Sequence, residues 1–428
     1  MPTARACVGT AVKMNMRARF AAAAVRRYST TSETVATAKG QLRRNACSGD
    51  WVCIMSERAS RPQQTMVLRA DQKTTAGPSH DPDCPFCKGN EDQTSEPLLQ
   101  IGTKKDWSLR IVKNKYPALT PPEGDMATSG ILCDAIQIGS FSRRFGTGSG
   151  TNGTILDSFA DAFGAHEVVI ETPHHNLPLA CDDVLRVERL VRAWRDRGRQ
   201  LIGWDGEAEA RYKGEEGTSE YAPIWRHLLY FKNQGSGGGA TIMHPHSQLV
   251  ALPIVPETVQ RSQATALRWF QENGVGVWAQ MIEEEMELAA QSTDNCRIVD
   301  ENESFVALVP FAALSPYSMW ILPKEDAAHF EQIDEAGLVQ FASLLHRCLR
   351  RMHIVLDEPD FNLIVRSAPV ADRGRQRAFN AGSYYRWHAT LFPRMGAGAM
   401  GGFEFASGIF SNSHIPEDDA RELREVTL

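Results

Sequence analysis

The sequence predicts an α+β fold in which one unit, antiparallel strands with packed helices, occurs twice. Residues 182–204 and 334–355 carry apolar side chains at helical spacing. Runs such as 226–233, 361–366 and 385–392 are short and rich in Leu, Ile, Val, Phe and Tyr, the pattern of strands. The order strands, helix, strands then returns after Arg297, which marks an internal repeat. A chain of 428 residues is long enough for two ordinary domains or for one duplicated fold. The expected division is 1–40, 41–255 and 256–428, with the N-terminal half carrying the active site.

The first 32 residues hold Arg5, Lys13, Arg17, Arg19, Arg26 and Arg27 and no acidic residue, with Ala21–Ala24 between them and Tyr28-Ser29-Thr30-Thr31 after. This composition fits an organellar transit peptide, mitochondrial before plastid, with a disordered basic tail of a cytoplasmic protein as the rival reading. The formal net charge of -6 argues against a surface that tracks nucleic-acid phosphates. No run approaches the roughly 18 apolar residues of a membrane span.

Asp50 to Pro62 begins as an apolar strand, Trp51-Val52-Cys53-Ile54, and runs into Arg58 and Arg61. Nine cysteines, odd in number and mostly scattered, do not form a disulfide framework. Cys84 and Cys87 alone are closely paired, in Asp-Cys-Pro-Phe-Cys-Lys-Gly. Such a turn presents two thiolates to one tetrahedral ion; a redox dithiol is the competing reading, although the strand-helix context of a thioredoxin site is missing. Arg110 to Leu119 reads as a strand and turn, and Ser140 to Thr154 as a loop rich in Gly, Ser and Thr. His166 to Pro178 gives a strand and a turn, and Asp182 or Asp183 caps the helix that follows.

Phe231 to Pro253 is the densest stretch chemically. Two strands flank Gly235 and Gly237–Gly239, a turn whose backbone amides can approach phosphate oxygens closely. Asn233, Gly239 and Thr241 at that loop are candidate phosphate contacts. With side chains alternating along an extended Met243 to Leu252, His244, His246 and Gln248 share one face. An imidazole pair with an amide beside it requires hydrogen-bond partners, so packing alone does not account for the pattern.

His-Pro-His-Ser-Gln resembles the active-site strand of the galactose-1-phosphate uridylyltransferase family, a branch of the histidine-triad superfamily. The resemblance implies a duplicated histidine-triad-like fold over residues 42–426. It also implies a nucleotidyltransferase in which His246 is the nucleophile, carries a nucleoside monophosphate as a phosphoramidate, and is helped by Gln248 on a phosphoryl oxygen. It makes Cys84, Cys87, His175 and His244 a Cys2His2 zinc site, one structural ion per chain, and puts Arg58, Arg61 and Asn114 against the nucleotide. The partners it implies are a nucleotide sugar and a sugar phosphate, with a homodimer as the assembly. Imidazole suits such chemistry because it is nucleophilic when neutral and a good leaving group when its distal nitrogen is protonated.

Cys-Pro-Phe-Cys, Phe-Lys-Asn-Gln-Gly and Val-Pro-Phe-Ala-Ala resemble the plant-type branch that includes ADP-glucose phosphorylase. The uridylyl enzymes have Gly-Cys-Ser before the active-site strand, where this chain has Gly239-Ala240-Thr241, and a lysine and a tyrosine near positions held here by Gly398 and Phe403. UDP-glucose with a hexose 1-phosphate acceptor is the main reading, and ADP-glucose with phosphate is the alternative within the family. A triad-type nucleotide hydrolase and a non-catalytic zinc or nucleotide-binding module are the alternatives from other classes.

In the second half, Pro256 to Ala290 reads as helical with a break at Gly274–Gly276, and Glu283–Glu285 as a solvated helix face. No cysteine pair occurs at 274–279, so a second metal is not expected there. Trp387-His388 stands where the first copy has His244-Pro245-His246, which reads as a catalytically degenerate copy.

Overall fold

Ten strands pair into one sheet whose order mirrors about its centre. The computed structural model describes residues 40–56, 73, 75, 77–121, 162–202, 225–370, 381–395 and 401–428. The basic N-terminal segment, Arg58 and Arg61, the loop 140–154 and Gly398 lie outside the described residues.

In chain order the strands and helices are β1 (Gln41–Arg44), β2 (Trp51–Ile54), β3 (Leu99–Gly102), β4 (Trp107–Lys113), β5 (Ala165–Ile170), α1 (Val184–Leu201), β6 (His227–Gln234) and β7 (His246–Leu252). They continue with α2 (Glu257–Asn273), α3 (Val277–Gln291), β8 (Ile298–Glu301), β9 (Phe305–Leu308), β10 (Met319–Pro323), α4 (Glu335–Val355), β11 (Phe361–Arg366) and β12 (His388–Pro393). Last come α5 (Gly402–Ser407), β13 (Phe410–Asn412) and α6 (Pro416–Glu425).

The large sheet runs β3-β4-β5-β7-β6-β11-β12-β10-β9-β8. Replacing β3, β4, β5, β6 and β7 by β8, β9, β10, β11 and β12 turns one half of that order into the other, so the duplication expected from the repeated pattern is present in the topology. All its pairings are antiparallel, and the copies join through β6 and β11, with Asn233 opposite Asn362. The small sheet β1-β2-β13 is an exception to the expected all-antiparallel pairing, because β13 runs parallel to β2.

The helices follow their local signals. Asp183 caps α1 by accepting from the Leu185 amide, and Asp334 caps α4 by accepting from the Gly337 amide. Gly274 closes α2 in the left-handed region at φ +72°, where a glycine carries no Cβ penalty. The apolar stripes of α1 and α4, including Leu190, Val191, Trp194, Leu345 and Leu349, pack with Tyr230, Leu249 and Leu363 on one face of the sheet. Truncating such a residue, Leu190→Ala for example, costs about 2–5 kcal/mol.

The other face differs between the copies. In the second copy α2 and α3 cover it, with Trp278 and Ile282 packed with Val306, Leu308 and Leu322. In the first copy the same face holds Val168 and Ile170 against Cys84, Phe86 and Cys87. Glu285 departs from the solvated face expected of the 283–285 run. It is buried and accepts from Arg297 Nε at 2.9 Å and Nη2 at 2.7 Å, so the ion pair draws one acidic residue inward while Glu283 and Glu284 stay exposed.

Candidate active site and metal centre

β7 starts at His246, three residues later than the expected extended run, and His244 lies just before it. The β5 register sets Val168 opposite Gln248 and Ile170 opposite His246. His246 and Gln248 therefore occupy the face of the sheet away from α1, together with His166.

Four side chains from three segments converge beside that strand. The donor atoms of Cys84, Cys87, His175 and His244 all lie within 4.8 Å of one another. Cys87 Sγ is 3.5 Å from Nδ1 of His175 and 3.5 Å from Nδ1 of His244. Nε2 of His244 donates to the Thr172 carbonyl at 2.8 Å, which leaves Nδ1 as the lone-pair nitrogen facing the cluster. Burial holds His244 down at about 3, so the ring is neutral and available as a ligand. Burial pushes the Cys84 thiol up to about 11. A bound cation reverses that preference by displacing thiol protons. Two thiols and two imidazoles, each with Nδ1 turned toward Cys87, fit a metal ion of the tetrahedral, soft-ligand type. His174, beside His175, is exposed.

The turn between Cys84 and Cys87 also touches His246. Phe86, between the two cysteines, sets its ring centroid 5.3 Å from that of His246 and 6.1 Å from that of His244. His246 donates from Nδ1 to the His244 carbonyl at 2.9 Å, which leaves Nε2 as the lone-pair nitrogen. Burial lowers the His246 pKa, keeping the ring neutral.

Gln248 and Asn114 meet through His166, a residue near the start of β5. Nε2 of His166 lies 2.7 Å from Gln248 Oε1 and 3.1 Å from Asn114 Nδ2, and its Nδ1 accepts from the Ala118 amide at 3.0 Å. Beneath the strand, on the helix side, Lys232 donates to both oxygens of Glu171 at 3.1 and 3.0 Å and to the His246 carbonyl at 3.0 Å. Arg186 from α1 approaches the same carboxylate at 3.6 Å. All three are buried, and desolvation lowers the Lys232 pKa against the opposing pull of Glu171. A lysine on the apolar-facing register of β6 was the available sequence signal for this network.

The glycine loop is less free than its composition suggests. The amide of Gly237 donates to Asp360 at 2.6 Å, that of Gly239 to the Ser236 carbonyl at 3.1 Å, and that of Ala240 to the Gly235 carbonyl at 3.0 Å. Gly239 therefore contributes a turn at φ +88° rather than a free donor. Asn362 holds the loop from the second copy, donating to Asn233 Oδ1 at 2.8 Å and to the Gly238 carbonyl at 2.7 Å. Asn233 is thereby fixed with Nδ2 toward Gly239, and Thr241 is exposed at the loop's end.

Strand register sets His388 where His246 stands in the first copy and Arg386 where His244 stands. His388 repeats the Nδ1 bond, to the Arg386 carbonyl at 3.2 Å. Trp278 covers the ring with centroids 4.6 Å apart, and burial lowers the His388 pKa to about 3. The Arg386 guanidinium donates to the Pro323 and Lys324 carbonyls and pairs with Asp326, a built-in cation at the position that His244 holds in the first copy.

The chain resembles known proteins over most of its length. The ADP-glucose phosphorylase of Arabidopsis thaliana is 28% identical over 92% of this chain and 95% of its own length. The galactose-1-phosphate uridylyltransferase of Thermotoga maritima is 24% identical over 91% of this chain and 99% of its own. The crystal structure of the Arabidopsis ADP-glucose phosphorylase with bound ADP-glucose superposes with a TM-score of 0.67 at 27% identity, covering 91% of this chain and 100% of that one. A uridylyltransferase structure gives a TM-score of 0.58 at 20% identity, covering 90% and 97%, a likeness of fold. Residues 29–256 match the family model described as galactose-1-phosphate uridyl transferase, N-terminal domain, so the chain belongs to that family and is a nucleotidyltransferase.

Proposed function

We propose that the chain moves a nucleoside monophosphate from a nucleotide sugar to a phosphate-bearing acceptor through a covalent nucleotidyl-His246, with ADP-glucose as donor and phosphate as acceptor. The observation that carries this reading is the orientation of His246, whose Nδ1 proton is held by the His244 carbonyl while Nε2 has no hydrogen-bond partner among the described residues. In the first step the Nε2 lone pair attacks the α-phosphorus, the bond to the bridging oxygen breaks, and the sugar 1-phosphate leaves with that electron pair. In the second an acceptor phosphate oxygen attacks the same phosphorus and the P–N bond breaks, its electrons returning to Nε2. Keeping the proton on Nδ1 leaves the ring neutral for attack and makes the phosphorylated ring a cationic leaving group. Lys232 and Glu171 hold the strand backbone at His246 throughout.

The likeness to the Arabidopsis enzyme over nearly the whole chain, and Gly239-Ala240-Thr241 before the active-site strand, support the adenylyl donor. The family model and the Thermotoga relative support the uridylyl reading, UDP-glucose with galactose 1-phosphate. For the metal centre we propose zinc, held by Cys84, Cys87, His175 and His244. With four protein ligands such an ion is structural and fixes the strand that carries His246.

Intact-mass spectrometry under non-acidic conditions tests the reading, after mixing the purified protein with ADP-glucose or UDP-glucose in parallel. An adenylyl adduct that disappears in His246→Asn is the expected result. A uridylyl adduct instead would reassign the donor, and no adduct from either would sink covalent transfer.

A further inference from the structure

The hydrogen bonds around His166 determine which end of the Gln248 amide faces the substrate. A backbone N–H can only donate, so the 3.0 Å contact from the Ala118 amide requires a lone pair on Nδ1. A neutral imidazole then carries its proton on Nε2. Of the two groups near that nitrogen, Asn114 Nδ2 at 3.1 Å is itself a donor, because Asn114 Oδ1 accepts from the Tyr116 amide at 2.9 Å. The proton therefore goes to Gln248 Oε1, 2.7 Å away. An amide offers an acceptor at one end and two donors at the other, and the two ends are nearly the same shape. With Oε1 committed to His166, the NH2 end of Gln248 is the end left for the reacting group.

We propose that His166 is a positioning residue which, through this chain of bonds from Ala118, holds Gln248 with its NH2 group toward the phosphoryl oxygens. A reversed amide would set a carbonyl oxygen against an anionic phosphoryl group. The assignment rests on the nucleotidyl-transfer reading for its consequence, but the bond pattern itself does not depend on it. His166 and Gln248 lie on adjacent antiparallel strands, with Val168 opposite Gln248 and His166 opposite Val250, so the two side chains are diagonal neighbours on one face.

A double-mutant cycle tests the consequence through the single-turnover rate of nucleotidyl-His246 formation, with metal content and thermal midpoint followed in every variant. His166→Leu is expected to slow adduct formation roughly 10- to 100-fold, the scale of a misplaced contact at the reacting centre. His166→Gln, which keeps a donor within reach of Oε1, is expected to recover part of that rate. In a Gln248→Ala background, His166→Leu should change nothing further. An unchanged rate in His166→Leu, or an equal loss in both backgrounds, would overturn the proposal.

The tautomer is read separately by nitrogen NMR of ring-labelled protein, with the His166 signals assigned from His166→Gln. A proton on Nε2 with Nδ1 unprotonated is expected, and a proton on Nδ1 would overturn the inference whatever the activity. A protein that shows the Nε2 tautomer but forms no adduct would refute the transfer reading and leave the bonded orientation of Gln248 standing.

Discussion

His246 is oriented by the backbone of His244: the Nδ1 proton of one bonds to the carbonyl oxygen of the other at 2.9 Å. The His244 side chain faces the metal cluster meanwhile, and its far nitrogen is anchored on Thr172. The four-donor cluster and the proposed nucleophile thus share one tripeptide, His244-Pro245-His246.

Removing the metal is therefore expected to affect reactivity as well as stability. Treatment with a strong chelator, or Cys87→Ala, should release about one equivalent of zinc per chain, lower the thermal midpoint and slow adduct formation. Elemental analysis combined with calorimetry checks this. Full activity in a metal-free protein would show that the cluster does not hold the strand.

Glu171 neutralises two buried cations, Lys232 and Arg186, from beneath the site. Glu171→Ala is expected to destabilise the fold by about 3–5 kcal/mol, the cost of leaving a buried charge unpaired. The pair Glu171→Leu with Lys232→Met should recover part of that loss in chemical denaturation. Adduct formation should still suffer, since the bond from Lys232 to the His246 carbonyl is gone.

Stability should decline in mild acid for a reason outside the active site. Burial lowers the pKa of His227 from 6.5 to about 4 and that of His388 from 6.5 to about 3. A histidine depressed on folding resists protonation in the native state, so its contribution is complete above 6.5 and is lost as pH falls toward the folded value. Over the full window the His227 shift corresponds to a loss on the order of 3 kcal/mol. Denaturation midpoints at pH 7 and pH 5 should differ clearly in the wild type and less in His388→Phe. An unchanged difference would remove His388 as a contributor.

The loop before the active-site strand should not tolerate a side chain at Gly235. Its φ is +71°, and an added Cβ would overlap the Asp360 carboxylate. Gly235→Ala is expected to lower the yield of nucleotidyl adduct and the loop's resistance to proteolysis. Gly89→Ala, at φ +100° but with nothing within 4 Å, separates backbone strain from this clash.

Much of the site was legible because its chemistry repeats at short range. The two-residue spacing of His244, His246 and Gln248, and the Cys84–Cys87 turn, are local patterns whose geometry follows from a strand and a turn. His175 needed the family resemblance, and the fold confirms only that it joins the other three donors. The contributions that escaped notice are the nonlocal ones. Glu285 reads as surface charge until Arg297, twelve positions on, supplies its partner. Asp360 and Asn362 look like the start of an ordinary strand, and only the β6–β11 junction brings them to the glycine loop. His166 gains its role from a turn amide and an amide side chain on two other segments.

That junction gives the two copies a mutual dependence that their likeness conceals. The second copy, its own histidine sealed beneath Trp278, contributes Asp360 and Asn362 to the loop of the first. A substitution at Asn362 would thus behave as a substrate-loop lesion although it lies 129 positions from Asn233. A fragment ending after β7 would keep the four clustered donors and His246, yet would expose the unpaired edge of β6 and lose the anchors of its loop. Duplication here has left one copy's glycine loop anchored by side chains of the other.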